Sequence, residues 1–448
     1  MSSDAAPPTR VVIVGGGFAG LGCARRLAGH KEVHVTLIDR HNFHQFQPLL
    51  YQVATSQLAA GDVALSLRQA FHGEENVDVK LADVTAVDPV ARSVTTADGT
   101  TFQGDVLVLA AGAQANFFNT PGAAEHAFPL YSLEDAEELR TRLFGVFEDA
   151  DSNPERLDQG ALNFVVVGAG ATGTELAGAL ADMIHQTMTS EYHDLAVQAA
   201  RVHVVDLGHV VLNGFSDSAH DYASKVLQAR GVQLKLGTGV KEVAADHVRL
   251  SDGTTIQTHC VIWAGGLMAA EPAGFSGLPT GRGGRVEVEP DLTVEGFPGV
   301  YVIGDIANIP GPDGHPFPQL GSVALQSGVS VAENILAEIA GKSRRPFHYK
   351  DKGIMAMIGR GAAVAEVGHH RHELHGPVAF AAWLGVHAAL MSGTRNRVEA
   401  FINWGWDYFS ETRGPQLLDQ RSTAASIDWG DDIESGLDVD DATPAAPA

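Results

Sequence analysis

Two stretches with one grammar constrain this chain more than any other feature. Residues 11–14 are a continuous β-branched run, VVIV, followed at once by GGGFAG and a helical pattern, and the strand VHVTLID closes the unit at Asp39. The order returns as FVVVGAGATG at residues 164–173, then a helix, then the strand VHVVD ending at Asp206. A buried strand, a glycine-rich turn and a helix make a βαβ unit, so the chain is expected to be α/β with two parallel, doubly wound sheets.

Each glycine has a distinct task. In the first motif Gly15 permits the tight turn, Gly17 lets backbone N–H groups approach a pyrophosphate, and Gly20 lets the helix pack closely on the sheet. Asp39 stands where a carboxylate accepts hydrogen bonds from ribose hydroxyls. Gly168, Gly170 and Gly173 repeat the spacing, with Asp206 arriving later because the intervening helical stretch is longer. A carboxylate there disfavours a 2′-phosphate, and no Arg follows in LGHVV, which favours NADH over NADPH. A solvated strand end is the alternative for Asp206. In YVIGDIAN (residues 301–308), Gly304 allows close backbone contact and Asp305 can accept from a polyol chain, a feature that suggests which site holds flavin.

Composition removes other classes. With 30 Lys+Arg against 54 Asp+Glu, a net charge of −24 makes nucleic acid an unsuitable partner. The two cysteines, Cys23 and Cys260, are far apart, which fits neither a disulfide framework nor dithiol exchange. The polar N-terminus lacks a secretory pattern, so the catalytic body is expected in the cytosol. Between the glycine motifs, VDVKLADVTAVDP and VTTADGTTFQGDVLVLAAGA read as antiparallel strands turning at Asp98-Gly99 and leading into a buried strand at 106–110. Residues 131–149 read as a connecting helix capped by Ser132. His369, His370, His372 and His375 crowd a stretch read as a solvated loop, not a metal site.

The chain resembles the two-dinucleotide-binding-domain flavoproteins, whose first glycine motif binds FAD and second NAD(P)H. HNFHQFQPLLYQVAT (41–55), GATGTELAGALADM, KDKGIMAMIGRGAAVAE (350–366), WLGVH and RNR narrow the resemblance to the type II NADH:quinone oxidoreductases over about residues 10–421. That resemblance implies two Rossmann-like, glutathione-reductase-like domains and a C-terminal amphipathic membrane-associating element. It places Gln47, Pro48 and Leu49 near the isoalloxazine and adds Phe18, Ala19, Arg40, Val84, Ala111, Ala171, Thr172, Gly265, Ala324 and Leu325 to the cofactor-binding set. Glu175 and Gln326 become the catalytic candidates. For Glu175 the alternative is a carboxylate favoured by the helix dipole alone, and for Gln326 a surface amide. Family members often show Ala-Gln-x-Ala-x-Gln where this chain has Gly321-Ser322-Val323-Ala324-Leu325-Gln326, so Ser322 replaces the first Gln.

The implied reaction passes a hydride from NADH to FAD and two electrons on to a membrane quinone, without proton pumping. Rival readings are a soluble reductase of an iron–sulfur protein and a slow-turnover interaction protein resembling apoptosis-inducing factor. Residues 376–394 carry no formal charge but fall short of the about 20 apolar residues of a spanning helix. With Arg395, Arg397, Phe401, Trp404 and Tyr408 they suggest a lipid surface through residues 376–414, on the cytoplasmic face of the membrane, in a peripheral homodimer. A core cover or dimer interface is the alternative. The expected division is a flexible 1–9; an FAD domain of 10–130 and 291–350; a connecting helix, 131–160; an NADH domain, 161–290; a membrane and oligomer element, 351–421; and a disordered acidic tail, 422–448, with seven acids and no base.

Overall fold

The computed structural model describes residues 7–312, 314–368 and 370–410, with Gln416, Leu418, Ile427 and Trp429. Unbroken β-branched runs bury strands on both faces, and such strands pair in parallel. β1 (Thr9–Val14) leads through α1 (Phe18–Leu27) to β2 (Val33–Asp39), and β3 (Val77–Leu81) and β4 (Val106–Leu109) join them in parallel. Next come the short β5 (Ala127–Pro129) and the long α2 (Leu133–Ser152). The Ser132 side chain accepts from the Asp135 amide at the start of α2, and Asp135 accepts in return from the Ser132 amide.

The second sheet holds β6 (Asn163–Val167), β7 (Arg201–Asp206), β8 (Gln233–Leu236) and β9 (Cys260–Trp263), with α3 (Ala171–Asp182) after β6. Its order is β5-β9-β6-β7-β8, every pair parallel. The chain then returns. β10 (Thr293–Val294) and β11 (Phe297–Val302) complete the first sheet in the order β10-β11-β4-β1-β2-β3, and α4 (Gly321–Ile339) lies on α1. That approach is possible because a Cβ on Gly328 would stand 2.0 Å from the Ala19 carbonyl oxygen. An antiparallel ribbon, Ala113–Ala115 against Leu267–Ala269, ties the two sheets together.

Two expectations about local structure change. Residues 77–81 form a parallel edge strand on β2, because Val77 and Val79 face the first sheet's core, and only the strands at 84–88, 93–96 and 101–103 form the antiparallel set. The histidine stretch is not a loop throughout. β12 (Gly353–Gly359), β13 (Ala362–Val367) and β14 (His372–His375) form an antiparallel sheet, and the His375 ring stacks on Tyr222 at 5.3 Å. His369 lies outside the described residues.

α5 (Gly376–Leu390) and α6 (Thr394–Phe409) close the described chain, and among the described residues no helix is long and apolar enough to cross a membrane. Their inner faces are core. Trp383 is fully buried, and Trp404, expected at headgroup level with Phe401 and Tyr408, instead turns inward and donates from Nε1 to Gln52 Oε1 at 2.7 Å. Helical spacing aligns Trp404 with Phe401 and Tyr408, but the indole N–H finds its acceptor only in the folded interior. Most of the acidic tail lies outside the described residues. Trp429 is an exception to its expected disorder: its ring lies 4.1 Å from His259, under the Arg156 guanidinium at 4.6 Å, with Nε1 donating to Asp149.

Candidate active site

The two glycine motifs fold into nearly superposable turns. Gly15 and Gly168 take φ of +104° and +106°, where a side chain is strained, and a Cβ on either would meet the carbonyl oxygen of Ala110 or Ala264 at 2.3 and 2.4 Å. A Cβ on Gly20 would stand 1.8 Å from the Gly15 oxygen, and one on Gly173 1.9 Å from the Gly168 oxygen. Gly17 and Gly170 are the N-caps of α1 and α3, at φ −69°, ψ −168° and φ −67°, ψ −170°. Neither helix start has a side-chain cap, and a Cβ on either N-cap glycine would meet nothing within 4 Å. Each turn therefore presents backbone donors to open space, which suits a diphosphate.

The strand-end carboxylates brace these turns. Asp39 accepts from the amides of Gly16 at 2.5 Å and His41 at 2.7 Å; Asp206 accepts from Ala169 and Gly208, both at 2.6 Å. Each carboxylate oxygen keeps a second lone pair for a ribose hydroxyl. Burial raises the Asp39 pKa against the pull of those amides. Ala111 and Gly265 also occupy matched places: the Cβ positions built on Gly15 and Gly168 lie 3.1 and 2.9 Å from their Cα atoms.

Around the first turn, Phe18 packs edge-on against His44 and Phe46, and the built Cβ of Gly321 touches its ring. His44 is buried and pushed down to about 4, so the neutral ring donates from Nδ1 to the Gly16 carbonyl at 3.1 Å. Gly304, at φ +71°, sits against Ala19 and Ala324. Beside it Asp305 accepts from the Tyr131 hydroxyl at 3.2 Å, and burial pushes its carboxyl up to about 6. Gln47 and Pro48 open a short 3-10 turn ending at the fully buried Leu49, and the Gln47 Oε1 is buried without a donor among the described residues. Val84 is buried at the start of its strand, and Arg40 is exposed, 3.9 Å from Asp83. A cavity of about 590 Å³ between the halves is lined by Arg40, residues 113–120, Tyr131 and Met268.

On the second side, Ala171 and Thr172 are exposed on the first turn of α3, and Glu175 follows, buried. Its Oε1 accepts from the Met357 amide of β12 at 3.1 Å. Burial pushes the carboxyl up to about 8, with the Met357 amide and the Trp383 indole pulling it down. α3 reaches β12 because a Cβ on Gly178 would stand 2.3 Å from the Ile358 oxygen. Leu325 is exposed and Ala324 buried on α4, and Gln326 bonds both the carbonyl and the amide of Lys350, at 3.2 and 2.9 Å. Ser322 lies 2.8 Å, hydroxyl to hydroxyl, from Tyr349.

Sequence reasoning missed Tyr131, His44, Tyr51 and Gln52. Tyr51 donates to the Met357 sulfur at 3.3 Å, and Gln52 donates to Tyr51 at 3.1 Å. The signal of Tyr51 and Gln52 lay in QPLLYQVAT, but Met357 and Trp404, which they meet, are more than three hundred residues away.

The pyridine nucleotide-disulphide oxidoreductase family matches residues 9–328. The type II NADH:quinone oxidoreductase Ndh of Mycobacterium tuberculosis is 37% identical over 439 residues, covering 94% of this chain and 93% of that relative. The chain belongs to the type II NADH:quinone oxidoreductases. The Staphylococcus aureus member of this family is 29% identical over 365 residues, covering 78% of the chain and 87% of its own. In fold, the Plasmodium falciparum NDH2 complex with NADH matches with a TM-score of 0.84 at 19% identity, over 91% of this chain and 99% of that one. The Aquifex aeolicus sulfide:quinone oxidoreductase follows the fold less closely, at a TM-score of 0.70 and 16% identity, over 90% of this chain and 96% of that one. Both cysteines here are buried and free, with burial pushing each thiol up to about 12, so neither supplies a thiolate to a sulfur-based relay.

Proposed function

We propose that FAD lies on the first glycine turn and NADH on the second, with their rings meeting in the cleft between the two sheets. As a family member the protein is a flavoenzyme that oxidises NADH and reduces quinone without pumping protons. The pair of matched, uncapped helix starts braced by Asp39 and Asp206 supports two dinucleotides, and Gly304 and Asp305 beside the first turn carry the assignment of the flavin to it. The residues fit the groups: the open space over Gly17 and Gly170 admits a diphosphate, and the unpaired Gln47 Oε1 awaits a ring N–H.

When bound, flavin accepts a hydride from NADH and returns two electrons to quinone. Asp305 holds a polyol hydroxyl while Tyr131 fixes its carboxyl. Phe18, Ala19, Ala111, Ala324 and Leu49 wall the flavin side; Ala171, Thr172 and Gly265 line the nicotinamide approach. Glu175 keeps its proton at neutral pH and is positioned to hand it toward a reduced quinone oxygen. Gln326 acts by holding the Lys350 backbone that leads into β12.

The division proposed is an FAD domain of 10–130 and 291–350, a connecting segment of 131–160, an NADH domain of 161–290 and a C-terminal element of 351–421. The last rests on a lipid surface at the cytoplasmic face. Val378, Leu390, Val398, Phe401, Ile402 and Trp406 support this, because all are exposed on α5 and α6. A homodimer burying the same residues is the second covering, and the cations beside them favour lipid.

Anaerobic stopped-flow tests the core reading. NADH should bleach the visible flavin absorbance, and a short-chain quinone should restore it. A protein that stays colourless after reconstitution, or one whose flavin NADH does not bleach, overturns it.

A further inference from the structure

Arg25 of α1 and Arg397 of α6 converge on the turn between α5 and α6. Arg25 Nη1 donates to Ser392 Oγ at 3.3 Å, and Arg397 Nε donates to the Met391 carbonyl at 2.8 Å. Partial burial and then the charge of Arg397 hold the Arg25 guanidinium below its ordinary pKa, with no carboxylate offsetting either effect. Among the described residues, neither arginine forms an ion pair. Nearby arginines on the same helices do: Arg26 meets Glu333 at 3.5 Å and Arg395 meets Glu399 at 2.6 Å. Among the described residues, two neighbouring cations are thus left without a carboxylate. Alongside them Leu390, Val398 and Ile402 are 52%, 53% and 63% exposed.

We infer that Arg25, Arg397 and the Ser392 hydroxyl form a grip for the phosphate of an anionic phospholipid at the rim of the apolar face. The inference rests on the lipid-surface reading and deepens it. The occupant must be apolar and anionic together, because the exposed aliphatic side chains and the unpaired guanidiniums share one turn. A bilayer carrying acidic headgroups meets both demands. Without such a rim, the chain's net charge would repel an anionic membrane as a whole.

The test is cosedimentation of the flavin-loaded, full-length enzyme with phosphatidylcholine vesicles, with and without phosphatidylglycerol. The wild type should bind the phosphatidylglycerol vesicles more tightly. Arg25→Gln with Arg397→Gln should lose roughly tenfold or more of that preference while keeping its binding to neutral vesicles. Arg26→Gln with Arg395→Gln, the same change in net charge, should lose far less. Flavin absorbance and its bleaching by NADH, unchanged in both variants, certify the fold. Equal phosphatidylglycerol preference in wild type and the Arg25/Arg397 variant overturns the inference while leaving the lipid surface standing. Inorganic phosphate that displaces the enzyme beyond chloride of equal ionic strength overturns it in favour of a soluble-anion site. Failure of the wild type to bind either vesicle overturns the grip and the lipid surface together.

Discussion

α1 and α3 start from the same turn and end in different work. From Gly15 and Gly168 their turns match at the three motif glycines, through Gly20 and Gly173. Two residues further on they part: α1 has Gly22, whose built Cβ would meet Leu325 of α4 at 2.9 Å, and α3 has Glu175. Three residues later the roles reverse, with Arg25 on α1 and Gly178 on α3, the latter against β12. Each helix keeps one small residue where a neighbour must approach. The other position is free for a charged or ionisable group, a buried carboxyl against β12 on α3 and a cation at the surface on α1. A shared fingerprint thus fixes a cofactor turn, and the partner packed on the helix fixes the rest.

The largest effects should come from the glycines the two turns share. Gly20→Ala and Gly173→Ala each force a methyl against a carbonyl oxygen, a cost of about 3 kcal/mol or more. If the halves divide labour as proposed, Gly20→Ala purifies without flavin, and Gly173→Ala stays yellow but is no longer bleached by NADH. The same defect in both variants would erase the distinction.

Glu175→Gln, which has no counterpart on α1, should slow reoxidation of reduced flavin by quinone by roughly 10²-fold and change reduction by NADH by no more than about twofold. Equal losses in the two half-reactions would reduce Glu175 to a packing group. The pH dependence carries the same information. The folded carboxyl keeps its proton to about 8 while the unfolded one loses it near its ordinary value of 4.5. The folded state therefore binds more protons in that window, and stability falls as pH rises through it. Thermal melts of Glu175→Gln should be flatter than wild type between those limits, and the loss of quinone turnover above about pH 8 should disappear.

Smaller effects separate the two packing glycines. Gly178→Ala meets the rigid Ile358 backbone and should cost about 1–3 kcal/mol in a denaturant melt. Gly22→Ala meets first the flexible end of Leu325, so it should cost less, on the order of 1 kcal/mol. A reversed order would mean that α4 is held more rigidly against α1 than β12 is against α3.

Much of this was legible in the residues. Periodicity and the glycine spacings located β1, α1, β6 and α3, because those signals are local: a β-branched run, a turn that tolerates only glycine, a helix after it. Glu175 was visible as an acid on a first helical turn, but its buried state was not, since Met357 and Trp383 come from elements more than 180 residues away. Along the sequence, the strand at 77–81 reads as one of the antiparallel strands, because sequence neighbours pair readily. Its place on β2 depends on the core face it completes.

By itself the sequence determined two dinucleotide turns and their carboxylates, since each follows from backbone geometry that only certain residues permit; the family of reaction was legible only through motifs that resemble those of a known family. Only the tertiary structure decided which way the C-terminal aromatics face, which carboxyl keeps its proton and which arginines meet a carboxylate among the described residues. Burial and charge pairing depend on groups distant in the chain, and the free energy of a polar side chain is set by what folding places beside it.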